Sequence, residues 1–151
     1  MNITFRDYEE HDFNDLKEMA CCLYEEDPPG AVMTEAKVRK TVCESLNHPD
    51  KLRIVMICAD GINIGYGIIV FFWSNEYGGD VVDIDELFVK KEYRNKKAAT
   101  NFIKHQTAAY KNAVALQLEA TPSNDFAIRF YKKMGFEPSP NYHMVLRFPK
   151  S

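Results

Sequence analysis

Glu86-Leu87-Phe88-Val89-Lys90-Lys91-Glu92-Tyr93-Arg94-Asn95-Lys96-Lys97-Ala98-Ala99-Thr100 is the stretch on which the fold turns. It opens at the end of a run of β-formers that begins at Val81. It closes on residues with helical spacing, so it joins a strand to a helix N-terminus. Free amides at that terminus, the helix dipole and the cations Arg94, Lys96 and Lys97 make an anion site. Ala98 and Ala99 are small enough to allow close approach. Taken alone, a basic strand-to-helix turn reads first as a solvated loop, and the flanking sequence has to decide.

Upstream, Asn2 to Arg6 alternates as a short strand does. Asp12 is a candidate cap for a helix with Phe13, Leu16, Met19, Ala20, Leu23 and Tyr24 on one face, ended by Pro28-Pro29-Gly30. A second helix starts at Thr34, with Met33 and Val38 placed as a hydrophobic staple and Val38, Val42 and Leu46 as a narrow apolar stripe. Asn47-His48-Pro49-Asp50 stops it. Leu52 to Ala59 and Ile62 to Trp73 are strands joined by Asp60-Gly61, a strong hairpin signal. A turn from Ser74 to Asp80 leads to the strand Val81 to Val89. The middle of the chain is therefore an antiparallel meander of three strands.

Downstream the period changes. Lys96 to Lys111 reads as a helix with Ala99, Phe102, Ile103, Gln106 and Tyr110 on one face. Ala115 to Glu119 is a short strand, parallel to its predecessor through a right-handed crossover. Ser123 or Asn124 caps another helix with Ala127, Phe130, Tyr131 and Met134 inward, and Gly135 stands at its C′ position. Tyr142 to Phe148 is expected to be a final strand. The order β-α-α-β-β-β-α-β-α-β describes a single α+β domain, residues 1–151, with a mixed sheet.

Composition narrows the function. The chain has 151 residues, 46% hydrophobic and 27% charged, with a formal net charge of −3, which is ordinary globular usage. The acidity argues against a nucleic-acid partner, as does the lack of aromatic interleaving in the Lys90 to Lys97 run. The longest apolar stretch, Gly67 to Trp73, is too short to span a bilayer. Met1 to Glu10 carries mixed charges and does not read as a signal peptide. Cys21, Cys22, Cys43 and Cys58 form no C-x-x-C pair and are expected as buried apolar groups in a reducing, cytoplasmic compartment. His11, His48, His105 and His143 have no ligand spacing, so no metal is expected. No Ser or Cys sits in a nucleophile elbow.

A second segment carries more information: Thr121-Pro122-Ser123-Asn124-Asp125-Phe126-Ala127-Ile128-Arg129-Phe130-Tyr131-Lys132-Lys133-Met134-Gly135-Phe136. A capped amphipathic helix with a glycine stop explains Ala127, Phe130 and Gly135. It does not explain why Asn124 and Tyr131 stand two turns apart on one face. Taken together and in this order, the two segments resemble the GNAT superfamily of acetyl-CoA-dependent N-acetyltransferases. Within it, Ile84 to Val89 with Tyr93-Arg94, followed by Asn124 to Gly135, look like the spermidine/spermine and thialysine acetyltransferase branch.

The resemblance implies a mixed, mostly antiparallel sheet with helices on both faces and splayed central strands. It implies that Leu87, Phe88 and Val89 lie along the pantetheine arm of acetyl-CoA, with Leu87 and Val89 offering backbone groups. Amides from Arg94, Asn95, Lys96, Lys97, Ala98, Ala99 and Thr100 would cradle the pyrophosphate. Asn124 would hydrogen-bond the co-substrate, and Tyr131 would act as general acid to the leaving thiolate. The family's loop reads Arg/Gln-x-x-Gly-x-Gly/Ala, and here Lys97 replaces the central glycine. That change adds a Cβ where backbone must pass close to phosphate, and a cation that can pair with it. Asn95, where the branch often has glycine, tolerates left-handed backbone angles.

The acids supply the base. Strand alternation puts Glu86 on the apolar face of Val82, Ile84 and Phe88, where a carboxylate pKa rises. A bulge, usual in this family on that strand, would change which acid faces inward, so Asp85 and Glu86 both remain candidates. Asp83 reads as solvated, as do Glu25 and Glu26 at the end of the first helix. The function expected is acetyl transfer from acetyl-CoA to a primary amine of a small cationic molecule or peptide, by direct attack in a ternary complex. The alternative is a non-catalytic module of the same fold with weakened CoA binding that senses a ligand or binds a protein. Many chains of the superfamily dimerise, which puts a homodimer among the expectations.

Overall fold

Ile3–Asp7 (β1), Leu52–Ala59 (β2), Ile62–Ser74 (β3), Gly79–Val89 (β4) and Ala115–Leu118 (β5) form one sheet, in the order β1-β2-β3-β4-β5, in a computed structural model of the chain. The structure describes residues 1–27 and 32–149. The chain divides into two compact units, Met1–Thr121 and Pro122–Ser151. Each is taken by itself.

In the first unit, β1 to β4 run antiparallel, and β5 joins β4 in parallel. Asp60 and Gly61 both have positive φ, 50° and 81°, as the tight two-residue hairpin between β2 and β3 requires. Phe13–Glu26 (α1) and Glu35–Asn47 (α2) cover one face of the sheet. Leu16, Met19, Ala20, Val38 and Val42 pack there on Ile54, Met56, Tyr66, Ile68 and Phe88. Ala98–Ala109 (α3) lies on the opposite face. A Cβ on Gly67 would come within 2.2 Å of the Phe102 ring, so the glycine is what lets α3 approach. Alternation then turns Tyr66 and Ile68 toward α1 and α2.

The meander, the hairpin, the crossover and the staple of Met33 on Val38 are as the sequence leads one to expect, with Thr34 accepting from the Lys37 amide at 3.2 Å. Pro28-Pro29-Gly30 lies outside the described residues. Other details differ. Asp12 does not cap α1 with its side chain, because its fully buried carboxylate is taken by Arg6 at 2.7 and 2.8 Å. Leu46 is 63% exposed and Ser45 is buried in its place. At 100° per residue, position 45 falls back in line with Val38 and position 46 does not. Cys58 is buried, but Cys22 and Cys43 are exposed, since helix periodicity carries them onto the outer faces of α1 and α2.

The second unit is built around Asp125–Lys133 (α4). Asn124 accepts from the Ala127 amide at 3.1 Å and caps it. Gly135, at φ 102°, ends it with the amide of Phe136 returning to the Tyr131 carbonyl at 3.0 Å. The strand expected at Tyr142 to Phe148 is not formed. That segment has no ladder partner among the described residues, and Tyr142, Met144 and Leu146 are exposed. Apolar β-formers make a strand only where a neighbouring strand supplies the hydrogen bonds.

Candidate active site

β4 and β5 are paired only from Val81 to Ile84, against Ala115 to Leu118. Beyond Ile84, β4 continues to Val89 against β3 alone. β5 ends at Leu118, so among the described residues one edge of Asp85–Val89 has no strand beside it. Which backbone groups face that edge follows from parity. The Lys90 amide donates to the Ile64 carbonyl of β3 at 2.8 Å, so residues 88 and 86 also turn toward β3. Leu87 and Val89 turn their peptide groups toward the open edge. Phe88 has its ring in the core, 6.2 Å from that of Tyr66.

The chain then passes through one 3-10 turn, Lys91–Tyr93, to the start of α3. Asn95 and Lys97 both adopt left-handed conformations, φ 63° and 65°. Lys97 is the N-cap of α3, and its side chain makes no capping bond. The first amides of α3, from Ala98 to Thr100, are thus left as the donors of a helix N-terminus with small side chains around them. Arg94 is otherwise engaged. Its Nε donates to the Val89 carbonyl at 2.8 Å, its guanidinium pairs with Glu26 at 2.6 Å, and its own amide donates to the Lys91 carbonyl at 3.3 Å. Arg94 ties the turn to the end of α1, which also gives Glu26 a partner where sequence suggested a solvated charge.

A bulge lies in β4. Ile68 pairs with Glu86 and Ile69 with Ile84, so Asp85 is the extra residue. The bulge reverses the alternation, and this corrects the face assigned from sequence. Val82 and Ile84 share a face with Ile69 and Phe71 on the α3 side. Glu86 and Phe88 share the other with Ile68 and Tyr66. Glu86 meets two phenols there: Tyr66 donates to Oε1 at 2.6 Å and Tyr24 of α1 donates to Oε2 at 2.7 Å. Burial raises the Glu86 pKa, the two phenols oppose that rise, and the Asp85 charge adds to it. Burial also raises Asp85, helped by Asp83 and Glu119. Asp83 accepts from Gln117 at 3.1 Å, and burial raises it too.

Asn124 and Tyr131 belong to the second unit. The Asn124 side-chain oxygen is spent on the α4 cap. The Tyr131 ring stands edge-on to Phe130 and Phe136, with centroids 5.3 and 5.7 Å away, and burial raises its pKa. Sequence reasoning missed Tyr24 and Tyr66 as site residues. The available signal was a tyrosine inside the apolar run of β3, whose buried hydroxyl must find a partner.

With this geometry in view, the comparisons with known proteins are direct. The model of the acetyltransferase (GNAT) family matches residues 13–136, and the chain belongs to that family. It is by that membership an N-acetyltransferase in class, with the family's α+β fold. No curated protein matches the sequence. Among solved structures, a possible acetyltransferase from Clostridium difficile 630 superposes with a TM-score of 0.80 at 20% identity over 100% of both chains. A ribosomal-protein-alanine N-acetyltransferase from Brucella melitensis biovar Abortus 2308 gives 0.78 at 13% identity, over 98% of this chain and 100% of that one. AAC(6')-Iy in complex with the bisubstrate analog CoA-S-monomethyl-acetylneamine gives 0.74 at 18% identity, over 100% and 99%. At these identities the likeness is one of fold. No helix among the described residues is long and apolar enough to cross a membrane.

Proposed function

We propose that residues 1–151 act as one acetyltransferase domain that takes acetyl-CoA as co-substrate and acetylates a primary amine of a small cationic molecule or peptide. The observation that carries this reading is the open edge of Asp85–Val89 running into the uncapped N-terminus of α3. Such an edge takes an extended amide-bearing arm as an added strand. A helix N-terminus with small residues takes the diphosphate at its end. The family match spans 13–136 and so crosses the division between the two units, which supports one functional domain.

The residues divide the chemistry. Glu86 is the base that takes the proton an ammonium must lose before attack. Its buried setting lifts its pKa toward the working range. Asp85 stands beside it, and together with Asp83 favours a cationic acceptor. The Val89 amide, on the open edge, is a donor for the thioester oxygen. Tyr131, kept protonated by burial, supplies the proton to the departing thiolate. Asn95, Lys96 and Lys97 with the α3 amides hold phosphate. The spermidine/spermine and thialysine branch and a homodimer rest on the sequence resemblance, and a cytoplasmic setting on the cysteine pattern.

The test is direct. Acetyl-CoA at a hundredfold excess over its dissociation constant should stabilise the protein by about 2.7 kcal/mol, read as a rise in Tm. Transfer is then assayed with lysine, spermidine, neamine and an alanine-initiated peptide as acceptors. A shift with turnover on a cationic amine supports the reading. Absence of any shift at millimolar acetyl-CoA would transfer the molecule to the non-catalytic reading.

A further inference from the structure

A buried carboxylate needs a compensating partner. Among the described residues no ion pair reaches Glu86. Its compensation comes from neutral donors instead, one on each oxygen: Tyr66 at 2.6 Å and Tyr24 at 2.7 Å. The two arrive from different elements. Tyr66 is fully buried in β3, one step along the ladder from the Ile68 that faces Glu86. Tyr24 hangs from the last turn of α1. The bulge at Asp85 is what turns Glu86 toward both. Glu86 and Tyr66 also line a small cavity of about 20 Å³, walled by Leu16, Ala20, Met33, Val38 and Ile68, with Thr41 as a further polar group. That space holds about one water, or the nitrogen end of an amine.

We propose that Tyr24 and Tyr66 are positioning residues for acetyl transfer, a pair of phenols that holds the Glu86 carboxylate ionised and in one orientation, leaving it free to accept the acceptor's proton. The proposal rests on the reading of Glu86 as the base. The physical reason is the balance of opposing effects at one group. Burial pushes Glu86 toward its protonated form, which has no capacity for a further proton. Two donated hydrogen bonds favour the charged form. Both phenols are themselves driven well above the usual tyrosine range by burial and by Glu86, so they stay donors throughout. The titratable groups facing Glu86 are Tyr24 from α1, Tyr66 from β3 and Asp85 next to it in β4. α2 brings Val38 and Thr41 to the cavity, neither of which titrates.

Tyr66→Phe and Tyr24→Phe each keep the ring and remove one donor. The carboxyl carbon of Glu86 is followed by NMR across pH in the free full-length protein, assigned by its loss in Glu86→Gln. The acid limb of kcat/KM is measured with acetyl-CoA and the best amine of the acceptor panel. Each variant should move the titration midpoint and the acid limb up together, by roughly one pH unit for Tyr66→Phe and less for the half-buried Tyr24. A merely structural tyrosine would lower Tm and move neither. Unmoved midpoint and limb in both variants, with turnover lost in Glu86→Gln, overturn the positioning role and leave the base in place. Turnover of Glu86→Gln within twofold of the parent removes the base, and the proposal with it.

Discussion

Tyr131 is a phenol whose surroundings suit a proton donor. Burial lifts its pKa, so it is protonated at neutral pH, and Phe130 and Phe136 fix its ring edge-on. Tyr131→Phe keeps the ring and those aromatic contacts and removes one hydroxyl. Turnover should fall roughly ten- to a thousandfold, the lower end arising because water can protonate a thiolate. Acetyl-CoA affinity should change little. Turnover within about twofold of the parent, in an assay with chemistry shown to be rate-limiting, would make Tyr131 an ordinary packing residue.

At the scale of elements, the turn from β4 into α3 holds the chemistry that sequence could pose and only geometry could answer. Lys97 stands where the family has glycine, and the backbone adopts the glycine conformation regardless, at φ 65°. A side chain in that region costs about 1 kcal/mol, which glycine would relieve while loosening the unfolded chain by a similar amount. Lys97→Gly should therefore leave Tm close to that of the parent. With the conformation already in place, what the substitution removes is the charge. Acetyl-CoA should bind roughly three- to tenfold more weakly, a loss that shrinks as salt is raised. Tighter binding, measured by calorimetry, would mean that the side chain obstructs the phosphates.

At the scale of the whole molecule, the first unit is drawn together by a polar cluster that joins β1, the start of α1 and β3. Arg6 of β1, Asp12 before α1 and Asn63 of β3 meet through the Asp12 carboxylate, which also accepts from the Glu9 amide at 2.8 Å. Burial alone would raise the Asp12 pKa. Arg6, the Glu9 amide and Asn63 outweigh it and hold the carboxyl below the usual range. A depressed folded pKa contributes stability that is present above the unfolded value, near 4, and fades as pH falls toward the folded one. Asp12→Asn should cost about 2 kcal/mol at pH 7, because the part-exposed Arg6 loses its charged partner and the Glu9 amide and Asn63 lose an anionic acceptor. Urea titrations at pH 7 and pH 3 should show that cost shrinking at the lower pH. An equal cost at both would assign it to packing.

Periodicity, turn residues and caps are local, and they are where the sequence spoke plainly. The Asp60-Gly61 hairpin, the Thr34 cap, the Gly135 stop and the meander can be read from neighbours in the chain, because backbone sterics and a side chain's first few residues determine them. The parallel pairing of β4 with β5 also rests on a local pattern, strand, turn, helix and strand. What escaped was everything set by a distant partner. The family resemblance implies a bulge on β4, but only the register with β3 places it at Asp85, where it moves Val82 and Ile84 to the face opposite Glu86. Arg94 and Glu26, Glu86 and Tyr24, and Arg6 and Asp12 choose one another across elements. The segment Tyr142–Phe148 has the composition of a strand and joins no ladder among the described residues. Composition decides what a residue can do, but hydrogen bonds and burial need two partners, and only the folded chain brings the second one.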